Sequence, residues 1–154
     1  MSQNKNAFSL IELLVVVSVL AILFAIVLPN LIGSRSRARD VNLKSSLNQM
    51  KTSLRLYYND FQSYPNGSGG VMMGCGADGL AACPNADGSF AAGATIYTKE
   101  MPSADNFYYQ QLDGGEGFLI SAQLENASDQ DAVASATKCG IAVPAASTFY
   151  VCTE

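Results

Sequence analysis

Between Leu13 and Ser34 the chain carries no charged residue, and no other stretch of its 154 residues constrains the fold as strongly. About 20 apolar residues in a helix are enough to cross a hydrocarbon core of ~30 Å. Such a run is a membrane-spanning helix or the apolar core of an export signal. The seven residues ahead, Met1 to Ala7, are polar and include one cation, Lys5. Glu12 sits close to the start of the span. A carboxylate at mid-membrane depth costs on the order of 2.5–3.5 kcal/mol, and less near the interface. Two readings of it stand: an interfacial acid that suits a helix N-terminus, or a carboxylate awaiting a cation from another copy. Pro29 removes a backbone hydrogen bond within the span and Gly33 follows, so a kink or loosened stretch is expected between them.

Composition then removes several function classes. There is no histidine, which takes away the commonest general base and the commonest zinc ligand. The net charge of −4 hides an asymmetry. Arg35, Arg37, Arg39, Lys44, Lys51 and Arg55 crowd one segment against a single acid, Asp40, whereas beyond it only Lys99 and Lys138 oppose a long series of acids. The acidic outer part speaks against nucleic-acid binding. The basic segment lies beside the span, where lipid headgroups or neighbouring subunits are the expected partners.

Cys75, Cys83, Cys139 and Cys152 all fall downstream of the apolar run, and none is in a C-x-x-C arrangement. Metal binding and thioredoxin-like redox chemistry are therefore poor fits. An even number of cysteines after an export segment points to disulfides and an oxidising compartment. Of three possible connectivities, Cys75–Cys83 with Cys139–Cys152 needs the least chain closure.

The run Ala7-Phe8-Ser9-Leu10-Ile11-Glu12-Leu13 resembles the processing site of type IV pilins and type II secretion pseudopilins. In that family a small residue, usually Gly, precedes Phe, then Ser/Thr-Leu-Ile-Glu, then an apolar run with a proline about two-thirds through. The one departure is Ala7. The resemblance implies a leader of residues 1–7, a transmembrane and filament-core helix over 8–33, and a pilin-like globular domain over 34–154. It implies cleavage between Ala7 and Phe8, N-methylation of Phe8, and assembly roles for Glu12 and Pro29. If Phe8 acquires a free amine, Glu12 of a neighbouring copy can neutralise it within an apolar bundle, where an unpaired charge is penalised. The implied partners are further copies of the chain, a prepilin peptidase and methyltransferase, an inner-membrane assembly platform with its ATPase, and lipid. No cofactor is implied. The implied location is the inner membrane, N-terminus cytoplasmic, before assembly and an extracellular or periplasmic filament afterwards. The arginines beyond the span outnumber Lys5, and charge bias alone would keep their side in the cytoplasm. The cysteines and the processing motif both require export, and they outweigh that bias.

From Ser34 to Tyr64 there is neither Gly nor Pro, and Leu43, Leu47, Met50, Leu54, Tyr57 and Phe61 recur at steps of 3 and 4. This is an amphipathic helix continuous with the span. From Phe8 to Phe61 it would measure about 80 Å, and it is expected to stop near Tyr64-Pro65-Asn66-Gly67. The segment from Tyr57 to Pro65 is also similar to the helix end of major pseudopilins. Residues 66–93 read as a long loop pinned by the first cysteine pair. Strands are expected over Thr95–Thr98, Asn106–Leu112 and Gly117–Asn126, a hairpin turn at Asp113-Gly114-Gly115-Glu116, a short helix over Asp129–Ala136 and an edge strand over Thr148–Cys152. In Gly117–Asn126, Phe118, Ile120, Ala122 and Leu124 share one face, with Ser121, Gln123 and Glu125 on the other. The fold class is α+β, a long helix packed on a small antiparallel sheet. Asp113 and Glu116 are a weak calcium candidate, since calcium takes about six to eight oxygens; a solvated turn suits them better. The Cys139–Cys152 segment resembles the C-terminal disulfide loop of type IV pilins.

The sequence thus points to a structural filament subunit without catalytic residues, a type IV pilin ahead of a major pseudopilin of a type II secretion system. Two alternatives compete with it. A membrane-tethered binding protein that never polymerises has no need of Glu12 beside Phe8. A conventional signal peptide cleaved near Ala21 or Ala25 does not carry an acid in its apolar region.

Overall fold

The computed structural model describes residues 9–84, 88–102, 107–142 and 144–153, with backbone alone for 28–32. By compactness the chain divides into Met1–Ser36 and Arg37–Glu154. Helix α1, Leu10–Phe61, supplies residues to both.

In the first unit α1 is the element described. Its helical assignment runs through residues 28–33 without a break, so the loosening expected between Pro29 and Gly33 does not interrupt the helix. The Pro29 side chain lies outside the described residues.

The second unit is α+β. In it, α1 lays one stripe on the sheet: Leu47, Met50 and Leu54 are at most 1% exposed, and Tyr57 is buried with them. Leu43 is half-buried against the same core. Phe61 departs from the expected pattern. It is 51% exposed and only stacks on the Tyr57 ring, with centroids 4.4 Å apart. Its position follows from where the helix ends. Gln62 adopts a left-handed conformation (φ 54), its backbone N–H donating to the Tyr58 carbonyl and its side-chain amide to that of Asn59. The chain therefore turns away three residues ahead of Pro65, earlier than the proline alone suggested.

After the helix come β1 (Gly67–Ser68), β2 (Val71–Cys75), β3 (Ala81–Ala82), β4 (Phe90–Ala92), β5 (Thr95–Thr98), β6 (Tyr108–Leu112), β7 (Gly117–Gln123), α2 (Gln130–Lys138) and β8 (Thr148–Cys152). Among the described residues they form three antiparallel sheets, in orders β1-β2-β3, β4-β5 and β6-β7-β8. Residues 66–93, expected as loop, contain β1 to β4. Short pairings in Gly- and Ala-rich sequence lack the alternation that betrays a strand. Gly74 in β2 has φ 106, and a Cβ there would lie 3.0 Å from Pro65 Cβ, so this strand packs against the helix exit only because it has no side chain.

β5 and β8 have the expected limits. Asn106 lies outside the described residues, and β6 begins at Tyr108. β7 ends at Gln123, short of Asn126, and both of its faces are buried from Gly117 to Ala122. It is the central strand, so Leu119 and Ser121 are covered as well as Phe118, Ile120 and Ala122. β6 and β7 are joined by a 3-10 turn over Asp113–Gly115. Gly115 has φ 107, and a Cβ there would overlap Ser63 Oγ.

Both outer edges of this sheet are engaged. On β6, the Tyr109 N–H donates to the Gly70 carbonyl (2.8 Å), and on β8 the Tyr150 N–H donates to Ser135 Oγ of α2 (3.1 Å). Tyr109 is buried and its hydroxyl donates to the Pro65 carbonyl; burial pushes its pKa up.

Candidate functional site

Every large apolar side chain from Leu10 to Val27 is between 46% and 78% exposed. The segment is long and apolar enough to cross a membrane, and none of it is buried within the chain. A soluble helix hides its apolar stripe; this one is apolar all round and covers none of it, so lipid or further copies must do so. Glu12 stands in the first turn, exposed, where its N–H and that of Leu13 both donate to the Ser9 carbonyl, at 3.1 and 3.3 Å. The carboxylate thus lies where the helix dipole favours negative charge. Ala7 and Phe8 lie outside the described residues.

One site that the sequence did not disclose lies at residues 39–44 of α1. Asp40 is 2% exposed, and its two carboxylate oxygens accept the backbone N–H groups of Glu125 (2.8 Å) and Asn126 (2.9 Å). Beside it the Arg39 guanidinium grips Glu125 through both carboxylate oxygens, each at 2.6 Å. One turn on, Lys44 Nζ donates to Asp129 and Asp131 at 2.6 and 2.7 Å. The Lys44 side chain is 13% exposed and its ammonium lies 5.7 Å from the centre of the Phe149 ring. Three charged residues within six positions therefore fasten segment 125–131 to α1.

The electrostatics agree. The hydrogen bond from Arg39 holds the Glu125 carboxyl below its usual range, and that from Lys44 does the same for Asp129. Burial pulls Lys44 down, but hydrogen bonds to the two aspartates carry it net upward. The basic segment is thus not uniformly available to headgroups or neighbours, because Arg39 and Lys44 are engaged within the chain. Only the crowding of bases around Asp40 hinted at this in the sequence; the partners lie about 85 residues away.

Helix α2 extends this fastening to the sheet. Asp129, expected as its first residue, instead caps it, the side chain accepting from the Asp131 N–H, and the helix runs from Gln130 to Lys138, two residues past the expected Ala136. At its other end Cys139 is bonded to Cys152 of β8, with Cα atoms 5.8 Å apart. Cys75 and Cys83 are joined across the β2–β3 connection, with Cα atoms 5.0 Å apart. At the hairpin, Glu116 accepts the Tyr58 hydroxyl at 2.6 Å, and Asp113 is exposed. Among the described residues no three acidic, cysteine or histidine side chains gather as a metal site. Elsewhere burial and a hydrogen bond to Asp60 push the Tyr97 hydroxyl up to about 12.

Residues 2–28 match the model described as the prokaryotic N-terminal methylation motif. The N-terminal segment carries that motif. Over 70 residues the chain is 36% identical to the type IV wide pilus major component PilA4 of Thermus thermophilus, covering 46% of this chain and 53% of that one. It is 30% identical over 70 residues to the type II secretion system core protein G of Klebsiella michiganensis (46% and 49%). It is equally similar, over 71 residues, to the core protein G of Dickeya chrysanthemi (46% of each). The chain matches about half the length of these relatives. No solved structure matches it. Over about 70 residues, then, the chain is similar to a type IV pilus component and to type II secretion core proteins, and its α+β architecture is pilin-like. These relatives are named as structural components, not as enzymes.

Proposed function

We propose that the chain is a structural subunit of a type IV filament, cleaved between Ala7 and Phe8, N-methylated on Phe8, and polymerised through α1. The observation that carries this reading is a helix from Leu10 to Val27 that is exposed all round and has a carboxylate, Glu12, in its first turn. In the membrane lipid covers it. In the filament other copies do, with Glu12 of one copy neutralising the amine of Phe8 in another and Pro29 easing the packing of the bundle. The division is a leader of 1–7, an assembly helix of 8–33 and a globular domain of 34–154. The subunit is not catalytic: extraction is driven by an assembly ATPase on a separate chain.

A surface pilus is the first reading, supported by the 36% identity to a pilus major component and by the Cys139–Cys152 loop. A secretion pseudopilus is the second, supported by the similarity to core proteins G. Intact-mass analysis of membrane or sheared filament material is expected to show loss of residues 1–7 and one added methyl group. A chain starting near Val27 would instead identify a conventional signal peptide and end the filament reading.

A further inference from the structure

Arg35 and Arg37 differ from the basic residues that follow them. Arg39 and Lys44 are engaged by Glu125, Asp129 and Asp131. Arg35 and Arg37 are both exposed, and no described residue pairs with either. They follow the apolar segment directly, with no charge between Leu13 and Ser34. Two positions apart on a helix, they are separated by about 200° around the axis and do not share a face. An acidic patch on one partner protein meets one of them at a time. A plane of phosphates surrounding the helix meets both, and long arginine side chains reach such a plane while their stems lie along the apolar segment.

We propose that Arg35 and Arg37 form a lipid-headgroup anchor, binding the phosphates of anionic phospholipid at the membrane exit of α1 and setting how deep the waiting subunit sits. The anchor rests on the membrane-anchored state described above. It also divides labour along the basic segment: Arg35 and Arg37 face lipid, whereas Arg39 and Lys44 hold the globular unit together. Extraction from the membrane then breaks the phosphate contacts of both arginines.

The test uses the full chain reconstituted in vesicles, with flotation to verify insertion. The preference for spin-labelled phosphatidylglycerol over phosphatidylcholine is then read from the lipid fraction immobilised at the protein. The expected preference falls by about fivefold for each of Arg35→Gln and Arg37→Gln, the factor equivalent to ~1 kcal/mol per basic residue. Arg39→Gln, whose charge is met by Glu125, is expected to leave it unchanged, and added salt to weaken the wild-type preference. Equal lipid preference in the inserted wild type and the double variant would overturn the anchor alone. So would a double variant that changes cross-linking between copies and not lipid preference, because a second copy would then cover the arginines. A chain that does not float with vesicles would overturn the membrane reading and the anchor with it.

Discussion

Glu12 and Asp40 are both carboxylates on α1, and their surroundings divide their tasks. Glu12 has no side-chain partner among the described residues and opens a run with no further charge until Arg35. Glu12→Gln keeps the shape and removes the charge, which eases insertion. In the proposed filament the Phe8 amine would then lack its counter-ion, and an unpaired buried charge of this kind costs about 3–5 kcal/mol. The expected outcome is normal membrane retention with filament yield strongly reduced, measured by shearing and electron microscopy; undiminished yield would show that the charge takes no part in assembly. Asp40 instead satisfies two backbone N–H groups at once. Asp40→Asn retains one acceptor and turns an amide donor toward the other N–H. It is expected to cost about 1–3 kcal/mol, seen as a lower melting temperature of the globular unit, with no loss of insertion.

At the scale of elements, what was legible in the sequence follows the strength of the periodic signal. The amphipathic half of α1 was legible because Leu47, Met50, Leu54 and Tyr57 recur at helical spacing over several turns. β5 and β8 were legible because they are rich in β-branched and aromatic residues. β1, β3 and β4 were hidden because strands of two or three residues carry no period, and the five-residue β2 because it lies within Gly-rich sequence and holds Gly74; their partners are set by tertiary contact. The site divided in the same way. Glu12 stood out as a lone charge in an apolar run. The Asp40 fastening did not, since its acceptors are matched by backbone groups that any sequence supplies. Helix α2 is the element most dependent on covalent support, being nine residues long and tied to β8 by Cys139–Cys152. Replacing both cysteines by serine is expected to lower stability by about 2–4 kcal/mol. Amide exchange is expected to quicken first in α2 and β8; uniform quickening throughout the sheet would contradict a local role.

For the molecule as a whole, the charge asymmetry seen in the sequence becomes an internal fastening with a pH window. Glu125 and Asp129 have depressed pKa values in the folded state, so the stability they contribute is present above the ordinary carboxylate range of ~4. It is lost as pH falls through the lower folded values. Lys44 is raised, so its contribution is present below ~10 and is lost only above its folded value. Unfolding of the globular unit is therefore expected to keep a flat pH dependence between these limits. Acid weakening is expected to begin only below the ordinary carboxylate range, and Lys44→Gln is expected to reduce it. An acid limb of unchanged steepness in that variant would place the pH sensitivity elsewhere. The same asymmetry also lessens the conflict with charge bias across the membrane, since Arg39 and Lys44, two of the six bases crowded in the segment beyond the span, are met by carboxylates within the chain.

The engaged rims of the β6-β7-β8 sheet bear on which kinds of polymer the subunit can form. Open strand margins invite like chains to add on and grow cross-β fibres, a hazard that rises with crowding. Here the Tyr109 N–H is held by Gly70 and the Tyr150 N–H by Ser135, which leaves a newcomer no free ladder donor at either position. For a subunit packed at high local density, as proposed above, these two contacts hinder strand addition at the β6 and β8 edges, whereas the apolar segment Leu10–Val27 of α1 stays uncovered within the chain. Growth by helix bundling can be reversed by returning the helix to lipid, whereas growth by strand addition could not be.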